Sequence, residues 1–146
     1  MLDEYLTFLK KQEGLSLKVY KDQVGLPTIG YGHLLKSFDV PPITEARAEQ
    51  MLKEDVAVAE AHALRLAPNL SKYPKRLAAL TDLCFNVGAK ALEGSGTVAA
   101  FRREDWKDAA DRFVKWNKGR VKGVLVELPV LTRRRKLLQH WILEGP

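Results

Sequence analysis

The sequence predicts an α+β fold that is mostly α: a single two-lobed domain with a small N-terminal β-hairpin lobe, a long connecting helix and a helical C-terminal lobe. Three observations carry this expectation. Residues 17–21 alternate and are followed by glycines at 25, 30 and 32, the pattern of short strands joined by tight turns. From Thr44 to about Ala67 apolar residues recur at helical spacing, far beyond the ~11–12 residues of an average globular helix, a length that fits a spine between a small lobe and a larger one. After Ser71 the chain reads as short helices separated by Pro, Gly and capping residues. The expected boundaries are about 14–43 for the small lobe, 44–67 for the connecting helix and 68–146 for the helical lobe, which helix 3–13 joins.

Each element has a local reason. Asp3 and Glu4 favour the positive end of a helix dipole and Lys10 and Lys11 the negative end, while Leu2, Leu6 and Leu9 share one face of a helix over 3–13. Continuing the same rotation puts Glu13 on that apolar side, with Gly14 just past the end. Residues 17–21 read as one strand and 28–35 as a second, joined by a turn at Gly25. Thr44 caps the long helix, whose apolar face is Ala48, Met51, Leu52, Val56, Ala59, Ala63 and Leu66. Pro74 suits the first turn of the next helix, which buries Leu77, Leu80, Thr81, Cys84 and Val87 and ends at Gly88; Phe85 and Asn86 at its end either pack or line a cleft. Thr97 is expected to cap a helix over 98–104 and Asp105 one over 106–117. Residues 118–129 read as an irregular loop or small hairpin, and about 130–143 as a final helix with Val130, Leu131, Leu137, Leu138, Trp141 and Ile142 on one side.

Composition narrows the function classes. A 146-residue chain buries a core of its own. Its single cysteine, Cys84, excludes an internal disulfide framework, and three scattered histidines suggest no metal site. The N-terminus lacks a basic n-region and no stretch approaches the ~18 apolar residues of a membrane span, so neither a signal peptide nor a transmembrane segment is expected. The net charge of +6 is concentrated: residues 115–136 carry Lys115, Lys118, Arg120, Lys122, Arg133, Arg134, Arg135 and Lys136 against Glu127 alone, and the first 114 residues are neutral. That segment is either a solvated face or a surface for a polyanion, and the cationic amphipathic final helix suits an anionic membrane surface.

The chemistry concentrates between Glu13 and His33, in E-G-L-S-L-K-V-Y-K-D-Q-V-G-L-P-T-I-G-Y-G-H. A helix ending at Glu13 and feeding a hairpin presents Glu13, Asp22 and Thr28 around one opening, and two acids with a hydroxyl suit bond hydrolysis by one acid and one base. Arg134 interrupts the apolar stripe of the last helix. Either that helix is rotated so that its arginines reach water, or Arg134 is buried and requires an anionic partner, for which Glu13, the other charge on an apolar face, is the expected choice.

This stretch resembles the phage-type lysozymes of the T4 and lambdoid phage kind (glycoside hydrolase family 24), through Glu13-Gly14, Tyr20-x-Asp22, Gly25 and Thr28-Ile29-Gly30-Tyr31-Gly32-His33. Thr44-Glu45, Phe85-Asn86-Val87-Gly88, the region from Trp106 to Ala110, and Leu128-Pro129 before the arginines extend the likeness over nearly the whole chain. The resemblance implies a lysozyme-like fold with a cleft between lobes, and muramidase activity on the β-1,4 bond between N-acetylmuramic acid and N-acetylglucosamine of peptidoglycan. It implies Glu13 as general acid, Asp22 with Thr28 placing or activating water, and Leu34 and Phe85 as substrate contacts; from the residues themselves Asn86 is expected as a further contact and Arg134 as support of the acid, and no cofactor is expected. It further implies a monomeric endolysin held in the host cytoplasm until a separate holin releases it to the wall or periplasm. The alternatives are a non-catalytic wall-binding relative and, with less support, a basic nucleic-acid-binding helical protein. The sequence lacks RNA-binding signatures, and no nucleic-acid partner is expected.

Overall fold

The structure, a computed structural model, describes residues 1–145 and divides into two compact units, Met1–Val58 and the chain from Ala59 onward. The first unit opens with helix α1 (Asp3–Glu13), which buries Tyr5 and Leu9 and ends where the Gly14 N–H bonds back to the Lys10 carbonyl at φ 70°. Strands β1 (Ser16–Lys21), β2 (Pro27–Gly30) and β3 (His33–Leu34) form one antiparallel sheet in that order. The expected single strand over 28–35 is thus two strands. Gly30 (φ 66°) and Gly32 (φ 75°) occupy the left-handed region, where L-residues strain, and they turn the chain back at Tyr31. Helix α2 (Glu45–Leu66) follows, its entry capped by Thr44 Oγ1, which accepts from the Arg47 N–H at 3.1 Å. The Lys10 ammonium donates to Glu49, and His33 Nδ1 lies 2.8 Å from Asp55 Oδ2. These two contacts tie α1 and the sheet to the first half of α2.

The second unit is helical around α3 (Pro74–Val87), whose Leu77, Leu80, Leu83 and Cys84 are buried. A 3₁₀ turn over Pro68–Lys72, not anticipated from the sequence, carries the chain into it. Helices α4 (Ala89–Leu92), α5 (Gly96–Arg102) and α6 (Trp106–Phe113) then lead to a hairpin of β4 (Lys118–Val121) and β5 (Val124–Glu127), and α7 (Pro129–Glu144) packs on α3 and α6.

Three local expectations are corrected. The cap of α5 is Ser95, whose hydroxyl accepts from the Val98 N–H; Thr97 lies inside the helix and its hydroxyl accepts from the Trp116 indole at 2.9 Å. Helix α6 stops at Phe113 rather than 117. Residues past it turn so that Trp116 reaches Thr97 and the Asn117 carbonyl accepts from the Leu128 N–H at the base of the hairpin. The apolar side expected for α7 is only partly buried. Val130 and Leu137 are more than half exposed, and the inward residues are Arg134, Arg135, Leu138 and Ile142.

Candidate active site

In the first unit the site is assembled from a helix end and a hairpin. Glu13 is the last residue of α1, and its carboxylate lies directly against Gly32: a Cβ at Gly32 would stand 2.7 Å from Glu13 Oε2. The glycine is therefore required twice, for its positive φ and for the approach of the acid. Glu13, Gly14, Leu15, Ser16 and Tyr20 line a pocket of about 300 Å³.

Asp22 sits where β1 turns toward β2. Its Oδ1 accepts from the N–H groups of Val24 (2.9 Å) and Leu26 (2.8 Å), while its own N–H donates to the Leu26 carbonyl at 2.9 Å. An aspartate folded over the following backbone in this way is a turn-former by nature. Both side-chain bonds fall on Oδ1, which fixes the carboxylate plane, and among the described residues Oδ2 takes neither of them. Thr28, 2% exposed, donates its hydroxyl hydrogen to the same Leu26 carbonyl at 3.1 Å. The backbone N–H and C=O of one residue, Leu26, thus hold Asp22 and Thr28 together.

The strand register extends the group. Tyr20 pairs with Thr28, and Thr28 with Leu34, so these three side chains form a row on one face of the sheet. Leu34 is 58% exposed and Tyr20 is open enough to line the pocket, with the buried Thr28 between them. Burial raises the Tyr20 phenol above its ordinary value, and the negative charges of Glu13 and Asp22 raise it further, so the phenol lies within the field of both carboxylates.

The second unit holds a buried charge cluster. Asp82 on α3 is wholly buried and accepts two bonds from Arg134 on α7, from Nε at 3.0 Å and Nη2 at 2.8 Å. Burial does demand an anion beside Arg134, and Asp82 supplies one. Arg135, expected on a flank, is also fully buried. It donates to the Trp116 carbonyl and to Asn86 Oδ1, with Nη1 3.9 Å from Asp82 and without a hydrogen-bond acceptor among the described residues. Burial lowers the Arg135 pKa and Asp82 opposes that shift. Phe85 is half-buried and Asn86 exposed at the end of α3. Because arginine has no acceptor, the Asn86 amide must turn its oxygen to Arg135, which leaves its NH₂ donors outward.

A family model described as Phage lysozyme matches residues 10–137. The chain belongs to the phage lysozyme family. This phage lysozyme is 35% identical over 133 residues to the endolysin of Acyrthosiphon pisum secondary endosymbiont phage 1, covering 90% of this chain and 89% of that one. It is also 35% identical over 141 residues to the endolysin of Salmonella phage P22, covering 90% and 92%. Among solved structures it is similar to the endolysin from Escherichia coli O157:H7 phage FAHEc1, with a TM-score of 0.83 and 30% identity, covering 98% of this chain and 92% of that one. The expected lysozyme-like, mostly helical fold with a small sheet is the one observed, and the chain is a glycosidase of the lysozyme class.

Of the residues expected from the sequence, the first unit of this phage lysozyme brings together Glu13, Asp22, Thr28 and Leu34; Phe85, Asn86 and Arg134 lie in the second. Four residues were missed. Tyr20 and Gly32 were visible only as motif letters. Asp82 carried a signal, an acid inside the apolar run Leu80 to Cys84, that pairs naturally with an arginine inside an apolar stripe. Arg135 carried none, since helical rotation alone puts it beside the stripe. Among the described residues no helix is long and apolar enough to cross a membrane, and no three His, Cys, Asp or Glu converge as a metal site.

Proposed function

We propose that this chain is an endolysin that hydrolyses the β-1,4 bond between N-acetylmuramic acid and N-acetylglucosamine of bacterial peptidoglycan to lyse the host. Glu13 is the general acid that protonates the leaving oxygen, and Asp22 with Thr28 positions and activates the attacking water. The observation that carries this reading is the peptide group pair of Leu26, which fixes Asp22 Oδ1 through its N–H and the Thr28 hydroxyl hydrogen through its carbonyl. With that hydrogen committed, Thr28 Oγ1 offers a water only acceptor capacity, and Asp22 Oδ2 offers a second acceptor. A water donating one hydrogen to each is left with a lone pair for the anomeric carbon, and Asp22 takes its proton as the bond forms. This water-mediated route inverts the anomeric centre and asks for carboxyl groups roughly 6.5–9.5 Å apart.

Leu34 and Phe85 offer apolar surface to the sugar faces, and Asn86 offers donors to carbonyl groups of the substrate. Arg134 supports the acid from the charged cluster of α3 and α7, where two guanidiniums share Asp82. The enzyme acts as a monomer without a cofactor, waiting in the host cytoplasm for a separate holin. Digestion of purified peptidoglycan followed by mass analysis of the new termini tests the reaction. Reducing N-acetylmuramic acid ends are expected, formed as the α anomer in a proton NMR time course. Anhydro ends would make the chain a transglycosylase, and no cleavage would make it a wall-binding relative. Glu13→Gln is expected to abolish cleavage; full activity of that variant would overturn the acid assignment.

A further inference from the structure

We propose that the hairpin formed by β4 and β5 docks the enzyme on a bilayer surface bearing anionic phospholipid. The cross-strand pairs are Val121 with Val124 and Arg120 with Leu125, so both faces of the ribbon end in apolar side chains. These tip residues are open: Val121 is 48% exposed, Val124 62% and Leu125 55%. Lys122 and Gly123 both have positive φ and close the tip as a tight two-residue turn, a conformation matched to the twist of a hairpin. Above the tip stand Lys118 and Arg120, and Lys122 adds a third cation at the turn itself.

The geometry suits an interface and not a deeper insertion. Strands rise ~3.3 Å per residue, so the basic side chains sit within roughly one phosphate layer of the apolar tip. An open two-stranded ribbon carries edge N–H and C=O groups that forbid entry into the hydrocarbon. Helix α7 turns Leu138 and Ile142 into the fold and its exposed Val130 and Leu137 stand two helical turns apart, whereas the hairpin gathers Val121, Val124 and Leu125 at one tip. Charge complementarity selects the occupant. With Arg134 and Arg135 buried against Asp82, residues 115–136 still expose six cations (Lys115, Lys118, Arg120, Lys122, Arg133 and Lys136) against the one acid Glu127, which repels a second copy of the same surface and attracts an anionic one. The hairpin holds no aromatic side chain on which a nucleic-acid base would stack.

The test uses the full chain and sedimentation with vesicles of phosphatidylcholine alone or mixed in equal parts with phosphatidylglycerol. Binding is expected only to the mixed vesicles, weakening as salt is raised. The variant Val121→Ser/Val124→Ser/Leu125→Ser is expected to partition at least about tenfold less while cleaving purified walls at the wild-type rate. Depth is read from an environment-sensitive dye on Val124→Cys, with Ala57→Cys on the exposed side of α2 as control. The native Cys84 is 6% exposed and burial pushes its thiol up to about 11, so labelling near neutral pH is selective. A blue shift at 124 but not at 57 supports the docking. Equal binding to both vesicle types, wild-type partitioning of the serine variant, or an unshifted dye at 124 overturns it.

Discussion

Replacing Asp22 by Asn or by Ala separates the chemistry of this residue from its role in the turn. The amide of Asp22→Asn keeps an oxygen where Oδ1 accepts from Val24 and Leu26, at 2.9 and 2.8 Å in the native protein, but loses the charge and the second acceptor oxygen. Asp22→Ala loses all three. Two such bonds at a partly exposed turn contribute about 0.5–1.5 kcal/mol each, so Asp22→Ala is expected to lower stability by about 1–3 kcal/mol and Asp22→Asn by less than about 1 kcal/mol. Loss of a positioned base costs about 10²–10⁴ in rate, equivalent to roughly 3–5 kcal/mol of barrier, and both variants are expected to suffer it in kcat on purified peptidoglycan. Urea unfolding measures the first pair of numbers and wall turnover the second. The Tyr20 phenol supplies a third readout independent of activity. The Asp22 charge helps hold its pKa up, so Asp22→Asn is expected to lower that pKa in an NMR titration. Wild-type turnover by Asp22→Asn would refute the assignment of the base. An equal stability loss in both variants would refute the claim that the Oδ1 bonds hold the turn.

Asp82→Asn removes the charge on which Arg134 and Arg135 lie and is expected to destabilise by about 3–5 kcal/mol, measured by urea unfolding, with part of the loss recovered on adding Arg135→Met. Gly32→Ala places a methyl 2.7 Å from Glu13 Oε2 and is expected to reduce wall turnover at least tenfold, whereas Gly14→Ala, with a similar φ but open space, is expected to cost about 1–3 kcal/mol of stability through backbone strain alone. Glu104 accepts from the Tyr73 hydroxyl at 2.8 Å and from Asn69, which holds its carboxyl below the ordinary 4.5. The unfolded chain therefore binds the proton more readily. This contribution is complete above the unfolded pKa and is lost as pH falls through the folded one, so Glu104→Gln is expected to flatten the acid side of a stability-against-pH curve.

The helices of this fold were legible because their signals are local. Acids at the start and lysines at the end of α1, Thr44 before α2, Pro74 opening α3 and Asp105 before α6 each act within one turn of their own position. Where the expectation failed, a contact distant in sequence had prevailed. Thr97 has the chemistry of a cap as much as Ser95 does, and nothing local reveals that the Trp116 indole, nineteen positions away, takes its hydroxyl. The same contact shortens α6. Periodicity likewise cannot distinguish an arginine beside an apolar stripe from one inside the core. Arg135 is buried because Trp116, Asn86 and Asp82 supply acceptors or charge around it, and those come from helix α3 and from the segment after α6.

The site shows the same division between near and far. Its first-unit part was readable because it is local: a helix end, an aspartate turn and a buried threonine within 21 residues, tied through the two peptide groups of Leu26. The spacing even conceals a constraint that only the register exposes. Tyr20 lies on the edge strand β1 and Asp22 just past its end, and Tyr20 faces Thr28, which faces Leu34. A one-residue slip of β1 against β2 would turn Tyr20 away from Thr28 and separate the row. Asp22 opposes such a slip, since its two bonds to Val24 and Leu26 set the length of the turn. The residue assigned to activate water thus also fixes the register that places Thr28. Its retention therefore reports on the fold as well as on the chemistry, and only the Asn and Ala substitutions together distinguish the two.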